Sequence, residues 1–189
     1  MFDKLKEDLR ETLTGSTPEN DLRARLHADH GEVAKLIDEL LATGDYEIAM
    51  REDLRNQIVV GLTAHARAEE EVVYTWLQQD ATTESDTRHA WREHDEIDQA
   101  LAAVKAADAG DPSLKEKVEA LKSVVTHHVH DEENELLPKA ETRFGQAQLA
   151  QLIAPFNSRK TELMQELDTT TIRPRTDVDR TLGEEPSHY

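Results

Sequence analysis

The stretch His128-Val-His-Asp-Glu-Glu-Asn-Glu-Leu-Leu-Pro138 decides how the rest of the chain is read, because it places Glu132 four residues after His128. A second copy lies upstream: His65-Ala-Arg-Ala-Glu-Glu-Glu-Val-Val-Tyr74 sets Glu69 four residues after His65. On an α-helix a spacing of four stacks histidine and acid on one face, where each pair can grip one cation. Apolar residues flank both pairs at helical steps. Leu54, Ile58, Gly61, His65, Glu69, Val72 and Trp76 form one seam, and Leu114, Val118, Leu121, Val125, His128, Glu132 and Leu136 form another.

Two more helices show the same design. The first long helix carries Leu22, Leu26, His30, Val33, Ile37 and Leu40, and the third carries Ala90, His94, Ile97, Leu101 and Val104, each with a histidine inside its apolar stripe. Thr17-Pro18 reads as the start of the first helix, with Thr17 as N-cap. Gly44, the polar run Asp80 to Asp86 and the segment Ala109 to Ser113 mark the turns, and Pro138 is expected to end or kink the fourth helix. His30 to His65 spans 35 residues and His94 to His128 spans 34, so the chain repeats as two helix–turn–helix halves. Their openings match too, Ala28-Asp29-His30-Gly31-Glu32-Val33 against Arg92-Glu93-His94-Asp95-Glu96-Ile97. Two such αα-hairpins make an all-α, up-down-up-down four-helix bundle.

With 7 glycines, 6 prolines and 4% aromatics, the composition supports helices and leaves little to build a sheet. The expected layout is an accessory N-terminal helix over residues 1–15 and a bundle domain over 17–167. An accessory helix from Gln146 to Leu167, interrupted at Pro155, ends that domain, and residues 168–189 follow as an extended or disordered tail. The net charge of −18 disfavours nucleic acid and anionic lipid and favours cations. No stretch approaches the roughly 18 apolar residues that span a bilayer. The charged start of the chain lacks a secretory apolar run, so a cytoplasmic location is expected. Without cysteine, any metal must take nitrogen and oxygen ligands.

His30, His65, Glu69, His94, His128 and Glu132 all occupy seam positions where Leu or Val would otherwise pack. Unpaired in a core, each would cost about 1–3 kcal/mol, and an ionised carboxylate more. A hydrogen-bonded network or water between the helices could satisfy them, but a metal site explains the repeated spacing more economically. Four imidazoles and two carboxylates exceed what one catalytic zinc needs, and suit two octahedral first-row ions, iron before manganese. The four seam helices carry none of the Glu-x-x-His pairs of ferritin-type di-iron bundles, and the His-Glu-x-x-His of zinc proteases is missing. Gly61, one turn before His65, either opens space for a small ligand beside the metals or lets helices approach closely. His27 could reach the edge of the cluster or serve as an outer partner. Glu70, Glu71 and Glu133 form solvated faces or outer partners of histidine N–H groups.

This order of motifs, a histidine on the first helix, His-x-x-x-Glu on the second, Glu-His on the third and His-x-x-x-Glu-Glu before a proline on the fourth, resembles the hemerythrin-like family of bacterial HHE cation-binding domains. The resemblance covers roughly residues 20–167. It implies a non-haem di-iron centre with His30, His65, Glu69, His94, His128 and Glu132 as ligands. Glu69 and Glu132 would bridge two iron ions together with an oxo or hydroxo group, and manganese or zinc could substitute. Oxygen carriers of the family have a second histidine four residues from the first on the third helix, where this chain has Ala90 and Asp98. They also set the fourth-helix acid five residues after the histidine, which would point to Glu133; the repeat with His65 and Glu69 points to Glu132. The missing histidine leaves a position for oxygen, peroxide or another small ligand. Three functions stay open: peroxide dismutation, an iron- or oxygen-sensing interaction module, and oxygen or iron storage.

Overall fold

The computed structural model describes residues 20–171, with side chains through Leu167. Helix α1 is Leu22–Ala42, capped by Asp21, whose carboxylate accepts from Ala24 N–H at 3.1 Å. The N-cap is thus Asp21, and the expected start at Thr17, like the accessory helix over 1–15, lies outside the described residues. Helix α2 comprises Ile48–Ala68, a π-helical segment Glu69–Tyr74 and a final turn Thr75–Leu77. Helix α3 is Glu84–Ala106. Helix α4 comprises Ser113–Asp131, a second π-helical segment Glu132–Leu136, and Leu137–Phe144. These four pack in a ring, α1 on α2, α2 on α3, α3 on α4 and α4 on α1, as a hemerythrin-like bundle. Among the described residues there is no strand, and no helix is long and apolar enough to cross a membrane.

Pro138 neither ends nor caps α4, which continues to Phe144. In the π segment just before it, Leu137 N–H reaches back five residues to the carbonyl of Glu132, so the backbone ladder is already rearranged where proline brings no donor. The same five-residue reach links Thr75 N–H to Glu70 in α2. Each π segment admits one extra residue and turns everything after it around the helix axis. The seam of α2 therefore leaves the expected Val72 and Trp76, which are only half-buried, and passes to Val73, Tyr74 and Leu77.

Gly145, with φ of 76°, ends α4 in a conformation that glycine adopts without strain. The chain then turns through Gln146–Leu149 and a 3-10 turn Ala150–Leu152 into helix α5, Ile153–Thr171. Pro155 does not interrupt this helix; it sits in the first turn, where its missing N–H is one of the unpaired donors anyway. Helix α5 runs on past the expected boundary at 168. It lies against α2 and ties to α1 through Arg25 Nε donating to Asn157 Oδ1 at 2.7 Å and Lys160 Nζ to Asp29 Oδ2 at 2.8 Å.

The core falls into two apolar halves. One joins Leu22, Leu26, Val73, Tyr74, Leu77, Leu136 and Leu137 to Phe156 of α5; the other joins Val33, Ile37, Ile58, Leu62, Ile97, Leu101, Val118 and Leu121. On every bundle helix the polar seam residues fall between them. Phe156 is fully buried and its ring meets that of His65 edge-on at 5.7 Å. Phe156→Ala is expected to cost about 3–5 kcal/mol, read as a lowered midpoint in urea unfolding of metal-free protein with the helical circular dichroism of the folded state retained.

Candidate metal centre

The structure brings the six predicted side chains together between the two apolar halves, each at most 7% exposed. His30, His65 and Glu69 form one group of converging donor atoms, and Glu69, His94 and His128 a second, so Glu69 belongs to both. His65 Nε2 lies 3.3 Å and His94 Nε2 3.6 Å from the same oxygen, Glu69 Oε2. Glu132 Oε2 lies 3.4 Å from His30 Nε2, and the Nε2 atoms of His94 and His128 are 3.1 Å apart.

What aims these rings is a carboxylate behind each of them. Glu133 Oε1 meets Nδ1 of His30 at 2.8 Å, and Asp29 Oδ2 lies 3.4 Å from Nδ1 of His65. Glu70 Oε1 meets His94 at 3.0 Å and Glu93 Oε2 meets His128 at 3.2 Å, again at Nδ1. A carboxylate accepting from Nδ1–H leaves the lone pair on Nε2, the tautomer a metal needs. The supply runs around the bundle: α1 supports the histidine of α2, α2 that of α3, α3 that of α4, and α4 that of α1. Glu70 and Glu133 were foreseen as such partners; Asp29 and Glu93 were not, although each directly precedes a seam histidine in the matching openings.

Tyr74 was also missed, because the π segment that turns it inward has no signature in helical periodicity. It is fully buried, donates to Glu132 Oε1 at 2.9 Å, and sits 3.5 Å from His94 Nε2. Burial pushes its phenol well above the ordinary value and Glu132 and Glu69 push the same way, so it keeps its proton. Burial likewise lowers His30 and His128 toward the neutral form. Burial opposes the charge on His65, but Glu69 and Asp29 outweigh it and push the imidazole up to about 10. Burial and the neighbouring Glu69 raise Glu132.

The donor set passes a simple test for a metal. His30 Nε2, His65 Nε2, Glu69 Oε1 and Glu132 Oε2 are buried without a hydrogen-bond partner. Four such atoms in one buried layer would be costly in a core unless a cation completes them. Among the described residues the other histidines stay outside this group: His27 is exposed and contacts Glu133 at 2.9 Å, His89 and His127 gather elsewhere around Glu93 and Asp131, and His130 is exposed beside Asn134. Of the two α3 positions four residues from His94, Ala90 is packed in the apolar core and Asp98 pairs with Arg67.

Gly61 does not open space at the centre. It lines an outer groove with Glu32, Asn56, Lys160 and Met164, whereas the small void among the histidines, about 10 Å³, is walled by Val33, Leu62, Ala66, Ile97, Val125 and Val129. That is room for one water-sized ligand.

The profile described as the hemerythrin HHE cation binding domain matches residues 21–140. A protein of Nostoc sp. named DNA nickase is 31% identical over 142 residues, which make up 75% of this chain and 40% of that protein. The chain thus spans less than half the length of this relative. No solved structure matches.

A side chain added at Gly61 would meet nothing within 4 Å. Gly61→Ala is therefore expected to stabilise the protein by up to about 1 kcal/mol through helix propensity, with metal content and azide binding unchanged, as thermal melts and visible spectra of loaded protein would register.

Proposed function

We propose, from the premise that this chain belongs to the hemerythrin HHE cation-binding family, that His30, His65, His94, His128, Glu69 and Glu132 would together hold two iron ions and present them to oxygen, peroxide or a related small ligand. One observation carries this: four imidazoles, each held from behind by a carboxylate at Nδ1, turn Nε2 toward one pair of buried glutamates. His30 and His65 would serve one ion, His94 and His128 the other. Manganese and zinc are the competing ions for such a nitrogen and oxygen donor set. When bound, an iron pair supplies Lewis acidity and one-electron redox chemistry.

The protein's part is to hold, orient and exclude. The Tyr74 hydroxyl fixes one oxygen of Glu132, which leaves the other facing His30, and stands as a protonated donor at the edge of the centre. Leu62, Val33, Ile97 and Val125 keep the void among the histidines apolar and admit only a small ligand. With one histidine on α3, the donor set would leave bound ions room for that ligand, and the Tyr74 hydroxyl lies beside His94 and Glu132 as a proton donor. This arrangement favours handling of peroxide over simple carriage. Storage and sensing would need only the binding part of it.

The name of the Nostoc sp. relative raises DNA as a substrate. The net charge of −18 opposes approach to a polyanion, and we take the shared part of the two proteins to be the cation-binding domain.

Anaerobic loading with Fe(II) is expected to give two irons per chain by metal analysis. Exposure to air should then bring ligand-to-metal bands in the near-ultraviolet and visible, and added peroxide should release oxygen with turnover. Fewer than two tightly held irons would overturn the proposal, and a spectrum that air and peroxide leave unchanged would overturn its small-ligand part. Glu70→Ala, which strips His94 of its Nδ1 partner, should weaken metal binding about 10- to 100-fold in a chelator competition. Supercoiled plasmid incubated with the iron-loaded protein should stay intact; iron-dependent nicking that Glu69→Gln abolishes would establish DNA cleavage instead.

A further inference from the structure

A second cluster of metal-ligating side chains stands outside the bundle core, on the face shared by α3 and α4. His89 and Glu93 are four apart on α3, and His127 and Asp131 four apart on α4, so two helical pairs oppose each other across the helix junction. His89 Nε2 lies 3.4 Å from Glu93 Oε1 and 3.5 Å from Asp131 Oδ2. His127 Nε2 lies 3.7 Å and 3.8 Å from the same two oxygens. These separations exceed the ~2.7–3.2 Å of a good hydrogen bond. They approach the edge of a tetrahedron built on metal–ligand bonds of about 2.0–2.1 Å, which is about 3.3 Å.

An independent observation points into the cluster. Glu93 is 6% exposed, and while its Oε2 engages His128, its Oε1 is buried, has no hydrogen-bond partner and faces His89 and His127. A buried carboxylate oxygen left bare is costly, and a cation held by the surrounding imidazoles and Asp131 would complete it. The adjoining cleft, about 230 Å³, is lined by His89, Glu93, Asp131 and Glu135 and reaches Glu132, so an ion from solvent has an acidic way in. Arg92, exposed, sits 3.3 Å from the outer nitrogen Nδ1 of His89 and can turn into solvent when Nε2 takes a metal.

We propose that His89, Glu93, His127 and Asp131 form an outer site for one divalent transition ion, with Zn(II) the best-suited probe, and that Glu93 is shared between this ion and His128. The site stands apart from the reading of the inner centre, since none of its outward-facing donor atoms belongs to that centre.

The test is a Zn(II) titration of the full-length protein after iron loading and removal of excess iron, counting zinc and iron by metal analysis after equilibrium dialysis. Wild type should take up one further zinc with its iron retained, and His89→Ala and Asp131→Asn should each weaken that uptake at least tenfold. His89 is half exposed and Asp131 partly so, and unchanged melting of the metal-free variants would show that the fold survives. His130→Ala, a neighbouring exposed histidine, should leave the titration as it is. No added zinc in wild type, an unaltered titration in His89→Ala, or an equal loss in His130→Ala would each overturn the proposal. Run on iron-free protein, the same comparison still reads a difference of one zinc, so failure of the inner centre to take iron would be told apart from failure of the outer site.

Discussion

Everything in this bundle turns on the contact between a histidine Nδ1 and a carboxylate behind it. Helix packing alone would put Leu or Val at these levels and close the core as one apolar column. Instead a polar layer divides it, and its cost is tolerable only if the rings and acids are held in mutual register. The four carboxylates supply that register. They fix the tautomer, fix the ring plane, and set unpaired nitrogen and oxygen atoms against each other where a cation balances them. The two apolar halves then act as clamps above and below, and their packing supplies the stiffness that a polar layer lacks.

The bundle and its six converging residues were legible in the sequence because helical periodicity is a physical constraint that composition cannot hide. A histidine every time the apolar stripe reaches the same height is visible without coordinates. What escaped was whatever broke the period. The π turn at Glu69 shifts the seam beyond it by one residue, so Val72 and Trp76 gave way to Val73, Tyr74 and Leu77. Gly61, ahead of that turn, borders an outer groove while its neighbour Leu62 lines the inner void. A single inserted residue has no local signature, and Tyr74 could be found only from its place in three dimensions. Asp29 and Glu93 are a different case: the acid just before each odd-helix histidine was on view in the repeat, but its target lies on the next helix, and a single-helix reading does not reach across.

Helix α5 follows the region that the family profile matches, yet it reaches the innermost layer. Lys160 and Arg25 both hold Asp29, the acid behind His65, and Phe156 supports the ring of His65 itself. Burial opposes the charge on Asp29, but His65 and Lys160 outweigh it and keep its carboxyl well below the ordinary value. One imidazole of the four is thus braced by an element outside the bundle, which ties the orientation of His65 to the docking of the chain's last described helix.

The circular order of support has a topological consequence. Either αα-hairpin, taken alone, keeps one complete histidine–carboxylate contact, Asp29 with His65 or Glu93 with His128. The other histidine of each half depends on an acid in the opposite half, Glu133 for His30 and Glu70 for His94. Neither half of the repeat is therefore a miniature of the whole. All four contacts are complete only where the two halves meet, with the fourth helix beside the first and the second beside the third.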